Sequence, residues 1–390
     1  MVPNEINLPM RYFLIAGEAS GDLHASNLIA ALKEQDHQAE FCGLGGDLMK
    51  QQGAELVCHY KDMAYMGFVD VITHLGSILG IMGKACSAIE NFKPDMVILI
   101  DYPSFNLKIA RYVKKNMPGV PVFYYIAPKL WAWKSWRIKS IKKYVDRVFS
   151  ILPFEVDWFG QRGCKVDYVG NPCVDSVSNR KHKDESLDDF KQRTGVAVDK
   201  PIIALLAGSR VSEIKKNLPL MIEAAGEHED FQMIVAGAPS IDKNLYKDYV
   251  DGQRVKIVYG ETYELLQQSR AAIVTSGTAT LETALLRVPQ VVVYYLGGGK
   301  LFYSVLSKII RVKFISLVNL ITDKEVVKEL YSYWLTVDNI KKELNSILCD
   351  GQSRDAMLNN YDKLIETLGS EPVSKRAARG MIEVWNELKK

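Results

Sequence analysis

Two doubly wound α/β domains in tandem, followed by a helical C-terminus, are what this 390-residue sequence predicts. Short apolar runs alternate with helical patterns in two series, one from Arg11 to Leu152 and one from Pro201 to Val293. Between them residues 175–200, with the charged run Arg180-Lys-His-Lys-Asp-Glu, carry almost no apolar pattern and read as the interdomain connection. After Asp323 the chain reads as mostly helical to Lys390. The expected division is therefore 1–174 and 175–390, with the helical tail in the second domain.

In the first series Arg11–Ala16 is an apolar strand, and Gly21–Glu34 a helix whose Leu23, Leu28, Ile29 and Leu32 share a face. Met96–Ile100, Val120–Ile126 and Arg147–Leu152 are further β-rich runs, with helical patterns at 104–116 and 131–144. In the second series Ile202–Leu206, Gln232–Ala236, Val255–Val258, Ala271–Val274 and Gln290–Val293 read as five strands. Each is followed by a helix pattern or a turn, the signature of βαβ units around a parallel sheet. Two such domains are expected to face a central crevice at the C-terminal edges of their sheets, where ligands bind.

Composition narrows the function class. Hydrophobic content of 48% and charged content of 24% are ordinary for a soluble globular chain. A net charge of +3 is too small to argue for nucleic acid as a partner. The six cysteines (42, 58, 86, 164, 173, 349) form no C-x-x-C pair and suit a reducing cytoplasm. Residues 1–10 lack a basic region and an apolar core, so they read as a loose tail and not as a signal peptide. Charge-free runs such as Val71–Gly83 are too short to span a bilayer, so any membrane contact is expected to be peripheral.

Ser276-Gly277-Thr278-Ala279-Thr280-Leu281-Glu282 follows the run Ala271–Thr275 and opens a helix. A helix N-terminus presents unpaired N–H groups and a positive dipole end, which suits a diphosphate. Gly277 allows close approach, the hydroxyls add donors, and Glu282 stands one turn on, where it can accept from a ribose diol. Gly208-Ser209-Arg210 ends the first strand of the second series, and an arginine there can clamp a diphosphate. In the first half Gly17-Glu18-Ala19-Ser20-Gly21-Asp22 ends one strand and Asp101-Tyr102-Pro103-Ser104-Phe105-Asn106 another. Asp101 sits where a general base belongs. Each segment also has a plain structural reading: an N-cap, a surface arginine beside a turn, a salt-bridge partner. Neither Gly17–Asp22 nor Gly43-Leu44-Gly45-Gly46 fits G-x-G-x-x-G, so a dinucleotide site is not indicated. With no D-x-D, Walker A or H-E-x-x-H motif and six isolated histidines, no metal or other cofactor is expected.

Ala127–Arg137 groups Trp131, Trp133 and Trp136 with Lys129, Lys134 and Arg137, and Lys139, Lys142 and Lys143 follow. Lys129 to Arg147 holds seven basic residues against one acid, Asp146. Met66, Val69, Ile72, Leu75, Leu79 and Met82 recur at helical spacing earlier in the first half. Apolar surface beside cations suits an amphipathic substrate and an anionic membrane, though core packing with a solvated basic face is the plainer account. Lys300–Lys313, with four basic residues and no acid among Phe302, Tyr303, Leu306, Ile309 and Ile310, is a second candidate contact.

In order and spacing these segments resemble the lipid-A-disaccharide synthase family, GT-B glycosyltransferases of two Rossmann-like domains. The resemblance runs from about Arg11 into the C-terminal helices. It rests on Gly17–Asp22, Met66-Gly67, Asp101-x-Pro-x-Phe-Asn106, Pro128-x-x-Trp-Ala-Trp133 and Leu152-Pro-Phe-Glu155. Gly208-Ser-Arg210, Ser276–Ala279 with Leu281-Glu282, and Ser316-Leu-x-Asn319 complete it. The resemblance implies transfer of 2,3-diacylglucosamine from its UDP conjugate to 2,3-diacylglucosamine 1-phosphate, giving UDP and a β-1,6 disaccharide precursor of lipid A. It implies Asp101 as candidate base, Glu18 as an essential carboxylate, and Gly208, Ser209, Arg210, Ser276, Gly277, Thr278, Ala279, Glu282 and Asn319 around UDP. It also implies action at the inner face of the inner membrane of a Gram-negative bacterium, and leaves a homodimer open. Ser104 stands where the family commonly has a second Asp, and Ala207 and Val318 where it commonly has Pro.

Two rival readings follow from the same residues. One is another GT-B enzyme of UDP sugars, such as a UDP-N-acetylglucosamine 2-epimerase, which needs no greasy acceptor surface. The other is a membrane-attached nucleotide-sugar binder without turnover.

Overall fold

The computed structural model describes residues 9–63, 75–250, 254–295 and 313–390, the side chains of residues 75–79 excepted. The chain forms two compact units, residues 1–171 with 371–390 and residues 172–370. The last helix, Val373–Lys389, therefore belongs to the first unit and not to the second domain, where the tail was expected. Its Val373, Ala377, Ala378, Met381 and Ile382 enter a core with Leu28, Ile29 and Leu32, and Trp385 Nε1 donates to the Asp95 carbonyl at 3.2 Å.

The first unit is a parallel seven-stranded sheet. Its strands are β1 (Arg11–Ala16), β2 (Glu40–Gly45), β3 (Glu55–His59), β4 (Met96–Ile100), β5 (Val122–Tyr125), β6 (Arg147–Ser150) and β7 (Val166–Tyr168). The spatial order is β3-β2-β1-β4-β5-β6-β7. Every residue of β4, Met-Val-Ile-Leu-Ile, is buried, as expected of a central parallel strand covered on both faces. The order reverses direction between β1 and β4, which are neighbours in register from Tyr12–Met96 to Ala16–Ile100. Such a switch point opens the sheet edge to ligands. The helices α1 (Ala19–Lys33), α2 (Asp47–Gln51), α3 (Tyr60–Met63), α4 (Leu75–Phe92), α5 (Pro103–Asn116), α6 (Ile138–Tyr144) and α7 (Phe154–Gly160) lie between the strands in sequence. The helix expected over 131–144 begins only at Ile138, after a 3₁₀ turn at Ser135–Arg137, because Lys134 adopts a left-handed backbone (φ +53).

The second unit repeats the plan with six strands: β8 (Ile202–Leu206), β9 (Gln232–Gly237), β10 (Val255–Tyr259), β11 (Ser269–Thr275), β12 (Gln290–Tyr294) and β13 (Lys328–Tyr331). The order β10-β9-β8-β11-β12-β13 puts its switch point between β8 and β11. The sixth strand, β13, falls in the stretch expected to be helical. The helices α8 (Pro172–Ser178), α9 (Leu187–Thr194), α10 (Val211–Ala225), α11 (Thr262–Gln267) and α12 (Thr278–Leu285) precede a helix at Leu317–Thr322 and two more at Val337–Leu348 and Gln352–Leu368.

Candidate active site

At the first switch point the residues after β1 and β4 meet. The chain leaves β4 through two successive left-handed residues, Asp101 (φ +44) and Tyr102 (φ +48), before Pro103 starts α5. L-residues pay about 1–2 kcal/mol each in that region, so the turn persists only because its surroundings hold it. The Asp101 carbonyl accepts from the Tyr124 hydroxyl at 2.5 Å and from Asn106 Nδ2 at 2.7 Å, and its N–H donates to the Tyr125 carbonyl. Tyr102 lies against the Gly17 backbone, where a Cβ would stand 2.3 Å from the tyrosine ring. Only glycine fits there, which is the reason for the first residue of Gly17–Asp22.

The Asp101 side chain stays accessible to solvent, yet partial desolvation raises its pKa above the usual carboxylate value. The Glu18 carboxylate raises it further, while the Tyr102 N–H and Lys129 oppose the shift. Glu18 also helps to push the Tyr102 phenol up to about 12, after burial. Two carboxylates, a phenol and a lysine therefore converge at the switch point. Asp22, by contrast, is enclosed and accepts from the N–H groups of Gly46, Leu48 and Met49, so it caps α2 and not its own helix.

The tryptophan segment divides. Trp131 packs edge-on against Phe154, and its Nε1 donates to Glu155 at 2.8 Å. Glu155 is 1% exposed, with its other oxygen bonded to Ser150 Oγ, and burial pushes its carboxyl up to about 7. Trp133 and Trp136 are 47% and 65% exposed, with Lys134 and Arg137 over their rings. Lys139, Lys142 and Lys143 are exposed and share one face of α6 at i, i+3 and i+4. Of the upstream apolar residues, Met66, Val69 and Ile72 lie outside the described residues, as do the side chains of Leu75 and Leu79 on α4. Met82 is half-buried against the core. The Lys300–Lys313 segment lies outside the described residues except for Lys313, which pairs with Asp323.

At the second switch point the ends of β8 and β11 carry the candidate anion donors. Gly208 (φ +108) turns the chain into α10, and a Cβ there would sit 2.4 Å from the Glu213 carboxylate. Glu213 accepts from the Ser209 N–H at 3.2 Å and from Arg210 Nη1 at 2.8 Å. Arg210 itself is exposed. Ser276 Oγ is bonded to the Ile315 carbonyl, while Gly277 and Thr278 are exposed at the start of α12, with Ala279 half-buried behind them. Asn217 Nδ2 ties α10 to the end of β11 through Thr275 Oγ1 at 2.9 Å.

Glu282 lines a cavity of about 530 Å³ with Ser176, Arg180, Gly260, Thr262 and Tyr263. The Tyr263 hydroxyl donates to it at 3.0 Å, and desolvation raises the pKa of the carboxyl. Asn319 lies deeper than the other candidates. It is fully buried, its Nδ2 donates to Val327 O and Glu329 Oε1, and its Oδ1 accepts from the Val326 and Val327 N–H groups. Its side-chain amide is hydrogen-bonded internally, so it braces the turn from Ser316 to Glu329. Sequence reasoning missed Tyr124, Tyr263 and Glu329, which reach these loops from distant strands and helices. Among the described residues no group of three or more His, Cys, Asp or Glu is arranged to hold a metal.

Among solved structures the chain is similar to a putative UDP-N-acetylglucosamine 2-epimerase from Listeria monocytogenes, with TM-score 0.67 and 13% identity over 97% of this chain and 98% of that one. The Neisseria meningitidis UDP-GlcNAc 2-epimerase bound to UDP-GlcNAc gives 0.62 and 13% over 97% and 100%. Likeness at that identity establishes the GT-B fold alone. Sequence relatives go further. The lipid-A-disaccharide synthase of Myxococcus xanthus is 37% identical over 382 residues, 96% of this chain and 98% of the relative. That of Syntrophus aciditrophicus is 38% identical over 372 residues, 94% and 95%. Residues 12–381 match the family described as lipid-A-disaccharide synthetase. On the family model and these relatives, the chain belongs to the lipid-A-disaccharide synthase family of glycosyltransferases.

Proposed function

We propose that the chain moves 2,3-diacylglucosamine from its UDP conjugate to the 6-hydroxyl of 2,3-diacylglucosamine 1-phosphate, with inversion, and releases UDP. The observation that carries this reading is the strained turn at β4, which holds an accessible carboxylate with a raised pKa beside Glu18. A β product from an α-linked donor requires one in-line displacement. The acceptor oxygen bonds to the anomeric carbon as the bond to the diphosphate oxygen breaks. Asp101 takes the hydroxyl proton, which contributes roughly 10²–10⁴-fold. Negative charge gathers on UDP, where the N–H groups opening α12, the exposed Thr278 and Arg210 stabilise it, and Glu282 accepts from the ribose.

The reaction needs no metal on this account, because a helix N-terminus and a guanidinium meet the leaving charge. The exposed Trp133 and Trp136 beside the α6 lysines support work at an anionic membrane surface, the inner face of the inner membrane. The test is UDP release on mixing both acylated sugars, with the product linkage assigned by NMR. A β-1,6 disaccharide formed equally well in EDTA is expected. UDP formed from the donor alone at the same rate, or loss of turnover in EDTA restored by magnesium, contradicts it.

A further inference from the structure

We propose that Arg137, together with the Ser104 hydroxyl, seats the phosphate of the acceptor beside the Asp101 turn. The inference rests on the reading of the acceptor as a sugar 1-phosphate. Ser104 is the second residue of α5, three positions after Asp101, and Arg137 Nη2 donates to its Oγ at 2.9 Å. The positive charge of Arg137 also acts on the Tyr124 phenol, the group that donates to the Asp101 carbonyl at 2.5 Å. The guanidinium thus belongs to the same neighbourhood as the base.

At that position beside the Asp101 turn the guanidinium also lacks a counter-charge. Arg147 pairs with Asp167 and Glu387, Arg193 with Glu185 and Glu261, and Arg210 with Glu213. Lys129 interacts with the carboxyls of both Asp101 and Glu155. Among the described residues no carboxylate pairs with Arg137. A guanidinium has five N–H donors in a planar fork, and a neutral hydroxyl satisfies one of them. A fork of that kind binds phosphate through two parallel hydrogen bonds. A carboxylate at position 104 would claim the fork, whereas serine leaves it open while holding it in place.

The neighbouring surface fits the rest of such a ligand. The Arg137 guanidinium carbon lies 5.5 Å from the centroid of the Trp136 ring, which is 65% exposed. A charged fork, a hydroxyl and an exposed apolar ring side by side suit an anion carried on an amphiphile. If Arg137 served only as one more membrane cation, it would not distinguish a phosphorylated acceptor from its dephosphorylated counterpart.

That distinction is the experiment. Turnover of the full chain is measured in detergent micelles with 2,3-diacylglucosamine 1-phosphate and with 2,3-diacylglucosamine of the same acyl chains. The wild type should prefer the phosphorylated acceptor. Arg137→Ala should raise its KM roughly 10–100-fold, the loss typical of one charge-assisted contact, and bring the two acceptors close to parity. Ser104→Asp, which supplies an internal carboxylate for the fork, should narrow the preference in the same direction, and Arg137→Lys should restore part of it. Unfolding midpoints show that each variant is folded. A preference kept in full by both Arg137→Ala and Ser104→Asp overturns the subsite and leaves the transferase reading standing. Absence of turnover with either acceptor in the wild type overturns that reading and the subsite with it.

Discussion

At the scale of single residues, Asp101 is where opposing electrostatic influences meet. Desolvation and Glu18 raise its pKa, and the Tyr102 N–H and Lys129 lower it, with a net rise. A base works when ionised, so activity should fall as pH drops through a pKa above the ordinary 3.8. Asp101→Ala should cut turnover at least about 10²-fold while leaving UDP affinity nearly intact. Near-normal turnover would move the role to Glu18 or another group. In the residual activity of Glu18→Gln the acid limb should shift to lower pH, because a raising charge has gone. A limb that stays put would assign that ionisation to another residue. Arg210 supplies a second case. Arg210 is 73% accessible and Glu213 17%, and Glu213 keeps the Ser209 N–H as a partner when the guanidinium turns away. Exchanging Glu213 for a diphosphate therefore costs little, and Arg210→Ala should weaken UDP binding by about 1.5–3 kcal/mol in calorimetry. Unchanged affinity in a folded variant would remove Arg210 from the site.

At the scale of elements, Glu155 on α7 ties the tryptophan segment to the sheet through Trp131 on one oxygen and Ser150, at the end of β6, on the other. Its folded pKa of about 7 lies above the usual 4.5, so the folded state binds the extra proton between those values. Stability should therefore fall as pH rises from about 4.5 to 7, the reverse of the usual paired carboxylate. Glu155→Gln keeps a hydrogen-bond partner for Trp131 without the ionisation, so urea unfolding at pH 5 and pH 8 should show a flatter dependence than wild type. Equal slopes would place the ionisation elsewhere. Strands such as β1, β4 and β8 were legible to the residue, because continuous apolar runs are what a doubly covered strand needs. β2 was not: its two glycines broke the pattern, and Gly43 is required because a Cβ would lie 1.9 Å from the Leu14 carbonyl oxygen. The short strands β7 (Val-Asp-Tyr) and β13 (Lys-Glu-Leu-Tyr) carry too few apolar residues to stand out. The positions of the candidate residues on loops after strands could be read from small-residue motifs. Tyr124, 23 positions from Asp101, could not, because nothing local links them. The internal network of Asn319 was hidden for a related reason: its partners Val326, Val327 and Glu329 come together only when β13 forms beside β12.

For the whole molecule, a net charge of +3 hides a strong local asymmetry. Among the described residues no helix is long and apolar enough to cross a membrane, so the membrane contact proposed above would be made by their surface. Lys139, Lys142 and Lys143 on one face of α6 follow two exposed tryptophans with Lys134 and Arg137 over their rings. Trp131 is committed to the core through Glu155, so of the three grouped tryptophans Trp133 and Trp136 are the ones exposed to an interface. Each basic residue near an anionic surface contributes about 1 kcal/mol, and exposed indole rings favour the headgroup region. Neither contribution suffices alone, which is the condition for reversible attachment. Binding to phosphatidylserine-containing vesicles should therefore be measurable at low salt and fall as salt rises, because screening weakens the lysine contribution first. Reversing Lys139, Lys142 and Lys143 to Glu should abolish most of it. Trp133→Ala with Trp136→Ala should weaken binding while leaving its salt dependence nearly unchanged. Sedimentation with vesicles separates these contributions. Equal, negligible binding to anionic and neutral lipid would return the basic face to simple solvation and the exposed rings to the acceptor alone.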